Sequence, residues 1–297
     1  MNTDCSVCRQ RIDDRSPLKA KFVDDRISWP EPYRMAVSFV VNYQGSEALK
    51  PKPNGYVDYE SFTEKDYGAV DGVRRMLRLL KSRGVRATFM VCGALAEHFP
   101  DEVLAIKEDG HEIAGHGYHH EVVTDVPVDQ EREIFADTLN ILERLTGDRP
   151  TGWRSCHQSP NTTALAMEMG LRYNSNSYIR DMPFLLTDGS REIVEVIRQP
   201  FGDSRAFGGT RSGVDPAVAF AIWSGAFDTF YGESELGPVY CPFSFHPEIS
   251  GRAGRINAVA KLIDYVQGHD GLWFATSDEI ARRTLECAGS STQLVVA

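Results

Sequence analysis

The 297-residue chain is 42% hydrophobic and 25% charged, which supplies a full core and is ordinary for a globular protein in water. Its formal net charge of -10 argues against a phosphate-binding surface, so nucleic acid is not an expected partner and a small neutral or cationic molecule is. No apolar run reaches the roughly 18 residues of a membrane span, and residues 1–19 lack the apolar core of a secretory signal.

A cytoplasmic location is therefore expected, with no membrane partner and with the six cysteines as reduced thiols. Residues 1–33 are rich in charge and proline without a sustained period, and read as an arm that wraps the surface or reaches a neighbouring subunit. An arm of this length hints at a homo-oligomer, a dimer or tetramer. Cys5 and Cys8 form a single C-x-x-C with no second pair, so an inert arm is preferred over a zinc or redox site. Residues 35–41 are the first apolar run of strand length and end at Asn42, Tyr43 and Gln44, after which 45–68 is a long polar connection of the kind that often carries function. Val70, Val73, Met76, Leu77 and Leu80 recur at helical spacing, followed by a strand at 86–91. The unit repeats with a helix marked by Leu95, Phe99, Val103 and Ile106 and a strand at 112–115 that runs straight into His116.

That third strand breaks on two glycines into a turn holding His116, His119, His120 and Glu121. His116 and His120 are four apart, a spacing that lets two imidazoles face one ion, usually zinc, although a pair alone is as readily two hydrogen-bonded loop histidines. Beyond the turn the spacing predicts a helix around 134–145, a strand at 151–155, a helix at 161–169 and strands at 171–176 and 193–197, with an irregular piece around Asp181 between the last two. A helix around 218–227 precedes the strand at 239–245, which ends on His246; a helix at 256–266, a strand at 272–275 and a closing helix after Ser277 complete the pattern. Eight strands alternating with helices, and no G-x-G-x-x-G after the first, suit an α/β fold of the (β/α) barrel kind over 34–286, with a flexible tail at 287–297. Asn42, Gln44, His116, Arg154 and His246 then collect at strand C-terminal ends, the face where barrels build active sites.

The stretches RATFMVCG at 86–93, HEIAGHGYHHE at 111–121, GWRS at 152–155, SPNT at 159–162, DMPF at 181–184, FHPEISGR at 245–252 and WFAT at 273–276 resemble the polysaccharide deacetylase superfamily, whose fold is a distorted (β/α) barrel. Within it the chain looks like the intracellular branch of metal-independent allantoinases and cyclic imide hydrolases. The resemblance makes His116 and His120 a metal pair, Arg154 the residue that positions the base, His246 the general acid and Asp181 the acidic residue beside the site. Where metal-using relatives carry two aspartates on the first strand this chain has Asn42 and Gln44. An amide is a weaker ligand and cannot accept a proton at neutral pH, so a divalent metal, zinc foremost, is expected to be held weakly by His116, His120 and Gln44 if it is held at all.

Glu47 is then the first candidate for general base, ahead of Asp181 and Glu121. Tyr118, Trp153, Phe184 and Arg252, from the same motifs, are taken as candidate substrate-binding residues, while core packing is preferred for Trp223, Phe243 and Trp273. The expected function is hydrolysis of a non-peptide C–N bond in a small cyclic amide. N-deacetylation of an acetylated sugar or peptidoglycan-type substrate is the alternative, and an inactive barrel that binds a small ligand the reading from another class.

Overall fold

The computed structural model describes residues 18–47, 49 and 53–289. Its strands are β1 (Lys19–Lys21), β2 (Met35–Tyr43), β3 (Thr88–Val91), β4 (Glu112–Gly115), β5 (Gly152–Trp153), β6 (Tyr173–Asn174), β7 (Phe184–Thr187), β8 (Glu192–Glu195), β9 (Val239–Phe245) and β10 (Leu272–Phe274). The helices are α1 (Tyr59–Tyr67), continued through a π-helical stretch (Gly68–Gly72) into α2 (Val73–Ser82), then α3 (Gly93–His98), α4 (Pro100–Glu108), α5 (Val128–Thr146), α6 (Thr162–Glu168), α7 (Asp203–Ala206), α8 (Pro216–Glu233), α9 (Pro247–Ser250), α10 (Ile256–Gln267) and α11 (Ser277–Ala288).

All nine residues of β2 are buried, as befits a central parallel strand covered on both faces. Side chains alternate across a strand: Met35, Val37, Phe39, Val41 and Tyr43 pack in the layer that includes the helix residues Leu77, Leu80, Trp223 and Leu262, while Ala36 and Val40 join a second cluster with Met90, Ala114, Trp153 and Tyr173. Asn42 has the parity of the second set and so turns into the barrel interior. One edge of β2 carries β9 over residues 35–41; the other is shared by β10 at 35–37 and β3 at 40–43. From β3 the parallel ladder continues through β4, β5, β6 and β8, and then turns antiparallel through β7 to β1. No ladder joins β9 to this far end among the described residues, so the distorted barrel is a curled sheet with a seam.

All eight expected strands form. The single helix expected across Leu95 to Ile106 is instead α3 and α4, because Pro100 has no N–H for a continuing helix and opens the second one as its N-terminal proline. The antiparallel pair β1–β7 was not expected. It corrects the reading of the arm: Leu18, Val23, Ile27 and Trp29 are buried, and the Trp29 indole N–H donates to the Val239 carbonyl at 2.9 Å while its ring meets Tyr240 and Trp273. The segment 18–33 thus anchors Leu18, Ala20, Val23, Ile27 and Trp29 in the core while its other residues stay nearer the surface. Residues 1–17 of that arm, with Cys5 and Cys8, and residues 290–297 of the expected tail lie outside the described residues, and α11 carries helix to Ala288.

Entering β4, His111 is buried, and its Nδ1 accepts the Ala87 N–H at 3.1 Å. Protonation would turn that acceptor into a donor facing a donor, and burial lowers the pKa to about 4. A histidine with a lowered folded pKa refuses a proton that the unfolded chain accepts near its ordinary value, so its contribution to stability is present above that value and is lost as pH falls toward 4. Urea unfolding of the wild type and His111→Gln between about pH 7 and pH 4.5 checks this. The wild type is expected to lose up to ~1.4 kcal/mol per pH unit relative to the variant below about pH 6.5, whereas parallel curves refute it.

Candidate active site

Four strand ends and one loop meet at Arg154, which leaves β5 only 1% exposed. Its Nη1 donates to Asn42 Oδ1 and to Ser244 Oγ, each at 3.2 Å; Nη2 donates to Ser175 Oγ at 2.7 Å and Nε to the Ser175 carbonyl at 3.2 Å. None of these partners is charged. Burial drives the pKa of the guanidinium down to about 9, and the Arg198 charge adds to the effect.

The same contacts orient the next residues. Because Arg154 occupies Asn42 Oδ1, the Nδ2 end of that amide faces His246 Nε2, 3.3 Å away. On the far side of the ring, His246 Nδ1 lies 2.7 Å from Asp203 Oδ1 and donates to it, which leaves Nε2 as a lone pair toward Asn42. Asp203 is 0% exposed; its Oδ2 also accepts the His246 N–H and the Ser250 hydroxyl, both at 2.7 Å. Burial pulls the His246 pKa down, but the Asp203 carboxylate outweighs it and the net shift is upward.

A second group lies beside the first. His116 Nδ1 donates to the Arg154 carbonyl at 2.7 Å, so its Nε2 is a lone pair, 3.3 Å from Gln44 Oε1. The Gln44 Nε2 end is held by Glu248 Oε1 at 3.3 Å, so two acceptors confront one another. His120 packs against His116 with ring centroids 4.8 Å apart, and its Nδ1 is buried without a hydrogen-bond partner among the described residues, as is Glu248 Oε2. Burial lowers the His116 pKa well below its ordinary value and takes His120 to about 3, so both rings are neutral donors at pH 7.

The loop that presents them is tight: Gly117 has φ +81 and His120 φ +54, in the left-handed region a side chain rarely adopts. Glu121 holds it by accepting the Tyr118 and His119 N–H groups at 3.0 and 2.8 Å. The unpartnered His120 Nδ1 and the confronting His116 Nε2 and Gln44 Oε1 fit a divalent cation, but all three donors are neutral, and no group of three His, Cys, Asp or Glu side chains among the described residues could hold a metal.

Several sequence candidates stand elsewhere. Trp153 is 1% exposed and stacked at 3.7 Å on Phe135 of α5, so it faces the helix layer on the opposite side of β5 from Arg154, and Phe184 is 1% exposed with its ring on Phe22; both are core. Tyr118 packs its ring over Gly93, where a Cβ would sit 2.6 Å from Cδ2. Arg252 lies over the Tyr67 ring at 3.8 Å and donates to the Glu64 carbonyl.

As for the base candidates, Glu47 bridges His98 and His119 at 2.9 and 3.2 Å, Asp181 is exposed and accepts from Gln199 Nε2 at 2.7 Å, and Glu121 is the loop anchor. None of the three shares a hydrogen bond with Asn42, His116, Arg154 or His246. Two carboxylates that do belong to the site, Asp203 and Glu248, were not assigned from sequence. Glu248 follows His246 by two residues inside the FHPEISGR motif, a signal that could have found it; Asp203 starts the four-residue α7 in an aperiodic segment and gives none.

Residues 64–174 match the family model described as polysaccharide deacetylase. A solved structure described as "probable Polysaccharide deacetylase from Pseudomonas aeruginosa PAO1" is similar at a TM-score of 0.81 with 30% identity, covering 87% of this chain and 93% of that one. The structure of Puue allantoinase is similar at a TM-score of 0.80 with 27% identity, over 87% of this chain and 92% of that one. The peptidoglycan deacetylase of Helicobacter pylori is 25% identical over 249 residues, 71% of this chain and 82% of its own.

Three neutral donors lack the charge that makes zinc sites tight. Protein purified with zinc present is therefore expected to hold well under one equivalent and to lose it on brief dialysis against EDTA, as read by elemental analysis. Stoichiometric zinc that survives extended chelation contradicts this.

Proposed function

The chain belongs to the polysaccharide deacetylase family, and from that premise we propose that it opens a small cyclic amide, such as an imide, a hydantoin or a ureide like allantoin, by attack of water on a non-peptide C–N bond. The observation that carries the reading is the end of β2. Asn42 is clamped between Arg154 and His246, and the first strand offers amides where a carboxylate base would be needed to work on a poor electrophile. An unactivated acetamide combines a sluggish carbonyl with a very basic leaving amine, and its hydrolysis gains most from a metal. A ring imide or ureide has a more electrophilic carbonyl and a nitrogen acidified by its second acyl group. The structural likeness to an allantoinase supports the same direction.

His246 can carry both proton transfers. Once water displaces the 3.3 Å contact from the Asn42 amino group, the Nε2 lone pair takes the proton of the attacking water while Asp203 stabilises the imidazolium, and the same Nε2–H then protonates the departing nitrogen. Arg154 fixes the orientation of Asn42 and thereby the direction in which Nε2 is presented. A cation held by His116, His120 and Gln44 would add polarisation of the carbonyl. N-deacetylation of an acetylated sugar is the second reading, favoured by the presence of both His116 and His120 and by similarity to a protein named as a peptidoglycan deacetylase.

A panel of succinimide, hydantoin, dihydrouracil and allantoin, run beside N-acetylglucosamine oligomers with and without chelator, tests the reading. Ring opening without acetate release is expected; acetate release with every ring untouched overturns it, and ligand binding without any turnover points to an inactive barrel. His246→Ala is expected to lower kcat/KM by about 100-fold or more. Because His246 must start neutral and its pKa is raised, the acid limb of kcat/KM should lie above its ordinary value. In Asp203→Asn that limb should move to lower pH while kcat falls; a limb unmoved by this substitution separates His246 from the role of base.

A further inference from the structure

Arg198 lies three residues beyond β8, where its N–H donates to the Ser177 carbonyl at 2.8 Å, two residues from the Ser175 that receives Arg154. Its guanidinium lies over the exposed ring of Tyr178, 5.0 Å from the centroid, and Arg205 approaches the same ring at 5.4 Å. The Nε is buried with no hydrogen-bond partner, and among the described residues the guanidinium enters no ion pair. The carboxylates on the flanking segments are all committed elsewhere: Glu195 to Asn174 Nδ2 and the N–H groups of Asn176 and Ser177, Asp203 to His246 and Ser250, and Asp181 to Gln199. Arg198 lies near the rim, its backbone tied to the segment that also supplies the Ser175 hydroxyl and carbonyl to Arg154. A protein of net charge -10 thus leaves an unneutralised cation, with Arg205 behind it, beside its own active site. Its fork of donors matches a carboxylate in two parallel hydrogen bonds, and a partly desolvated guanidinium without an internal anion gains most from one that arrives with the ligand.

We propose that Arg198 is a specificity residue that receives a carboxylate of the substrate, so that the amide cleaved is an anionic one, a small ring or ureide bearing a carboxylate. This rests on the small-amide reading given above and reverses the neutral or cationic partner that the net charge suggested. The test compares hydantoin with hydantoin-5-acetate in the wild type, Arg198→Gln and Arg198→Lys, the folds being checked by circular dichroism. The wild type is expected to prefer the acid, and the ratio of kcat/KM for the acid over the parent ring is expected to fall about 10- to 100-fold in Arg198→Gln, through KM, with a smaller fall in Arg198→Lys. An unchanged ratio overturns the proposal. Calorimetric titration with succinate, which has no bond to cleave, is independent of turnover. If neither ring is opened, the small-amide reading fails while succinate binding that is present in the wild type and lost in Arg198→Gln still supports the carboxylate subsite. Equal succinate binding by both, or none by the wild type, removes it.

Discussion

Arg154 is a buried cation served only by neutral partners, and much of the active site is arranged to satisfy it. Stripping a guanidinium of water costs several kcal/mol unless its donors are met, and here they are met by Asn42 from β2, Ser244 from β9 and Ser175 from the end of β6. These elements come from separated parts of the curled sheet: β6 pairs with neither β2 nor β9 among the described residues, so one side chain links strands that no backbone ladder joins directly. The requirement also fixes chemistry. Asn42 must turn its oxygen to Arg154, its amino group then faces His246, and Asp203 selects the tautomer that makes Nε2 an acceptor toward that amino group. In the mechanism proposed above, an arginine without a counter-ion is thus a positioning group for a base it does not touch.

The histidines divide by their surroundings. His116 and His120 sit where burial dominates and remain neutral, His116 with its inner nitrogen tied to a backbone carbonyl; His246 has a fully buried carboxylate behind it and holds a proton more readily. In the proposed mechanism, one residue type thereby offers an electron pair in one half of the pocket and carries a proton in the other. The two halves are joined mechanically at α9. A Cβ on Gly68 would come within 2.5 Å of the Glu248 backbone nitrogen, and one on Gly72 within 2.4 Å of the Pro247 carbonyl. The π-helical stretch after α1 therefore lies directly on the turn that carries His246 and Glu248, and Glu248 in turn holds Gln44.

The eight strands were legible because each is a short apolar run ended by a turn residue, and the rim was legible because polar residues stand at the ends of those runs: Asn42, Gln44, His116, Arg154 and His246 all meet around one site. What escaped has physical reasons. β1 is three residues with lysine at either end, and β7 follows a proline and an aspartate, so neither has a period long enough to register. Asp203 is recruited from an irregular segment by the backbone and side chain of a residue 43 positions away, a contact no local pattern announces. Trp153 and Phe184 belong to motifs that touch the site, but alternation along a buried strand turns them into the core. Glu47 is the nearest carboxylate in sequence to the first strand end, yet two histidines outside the catalytic group hold it.

The pairing of β2 with β9 has a bearing on how the molecule comes into being. Asn42 and His246 are separated by 204 residues, and the edge of β2 that β9 occupies must wait for that whole intervening stretch. During synthesis at about 5–20 residues per second, a nascent chain would display a largely apolar nine-residue strand with an unpaired edge for on the order of ten seconds or more. Such an edge is what neighbouring chains and chaperones seize upon. The strand that founds the active site is thus also the segment most in need of shelter before the active site exists.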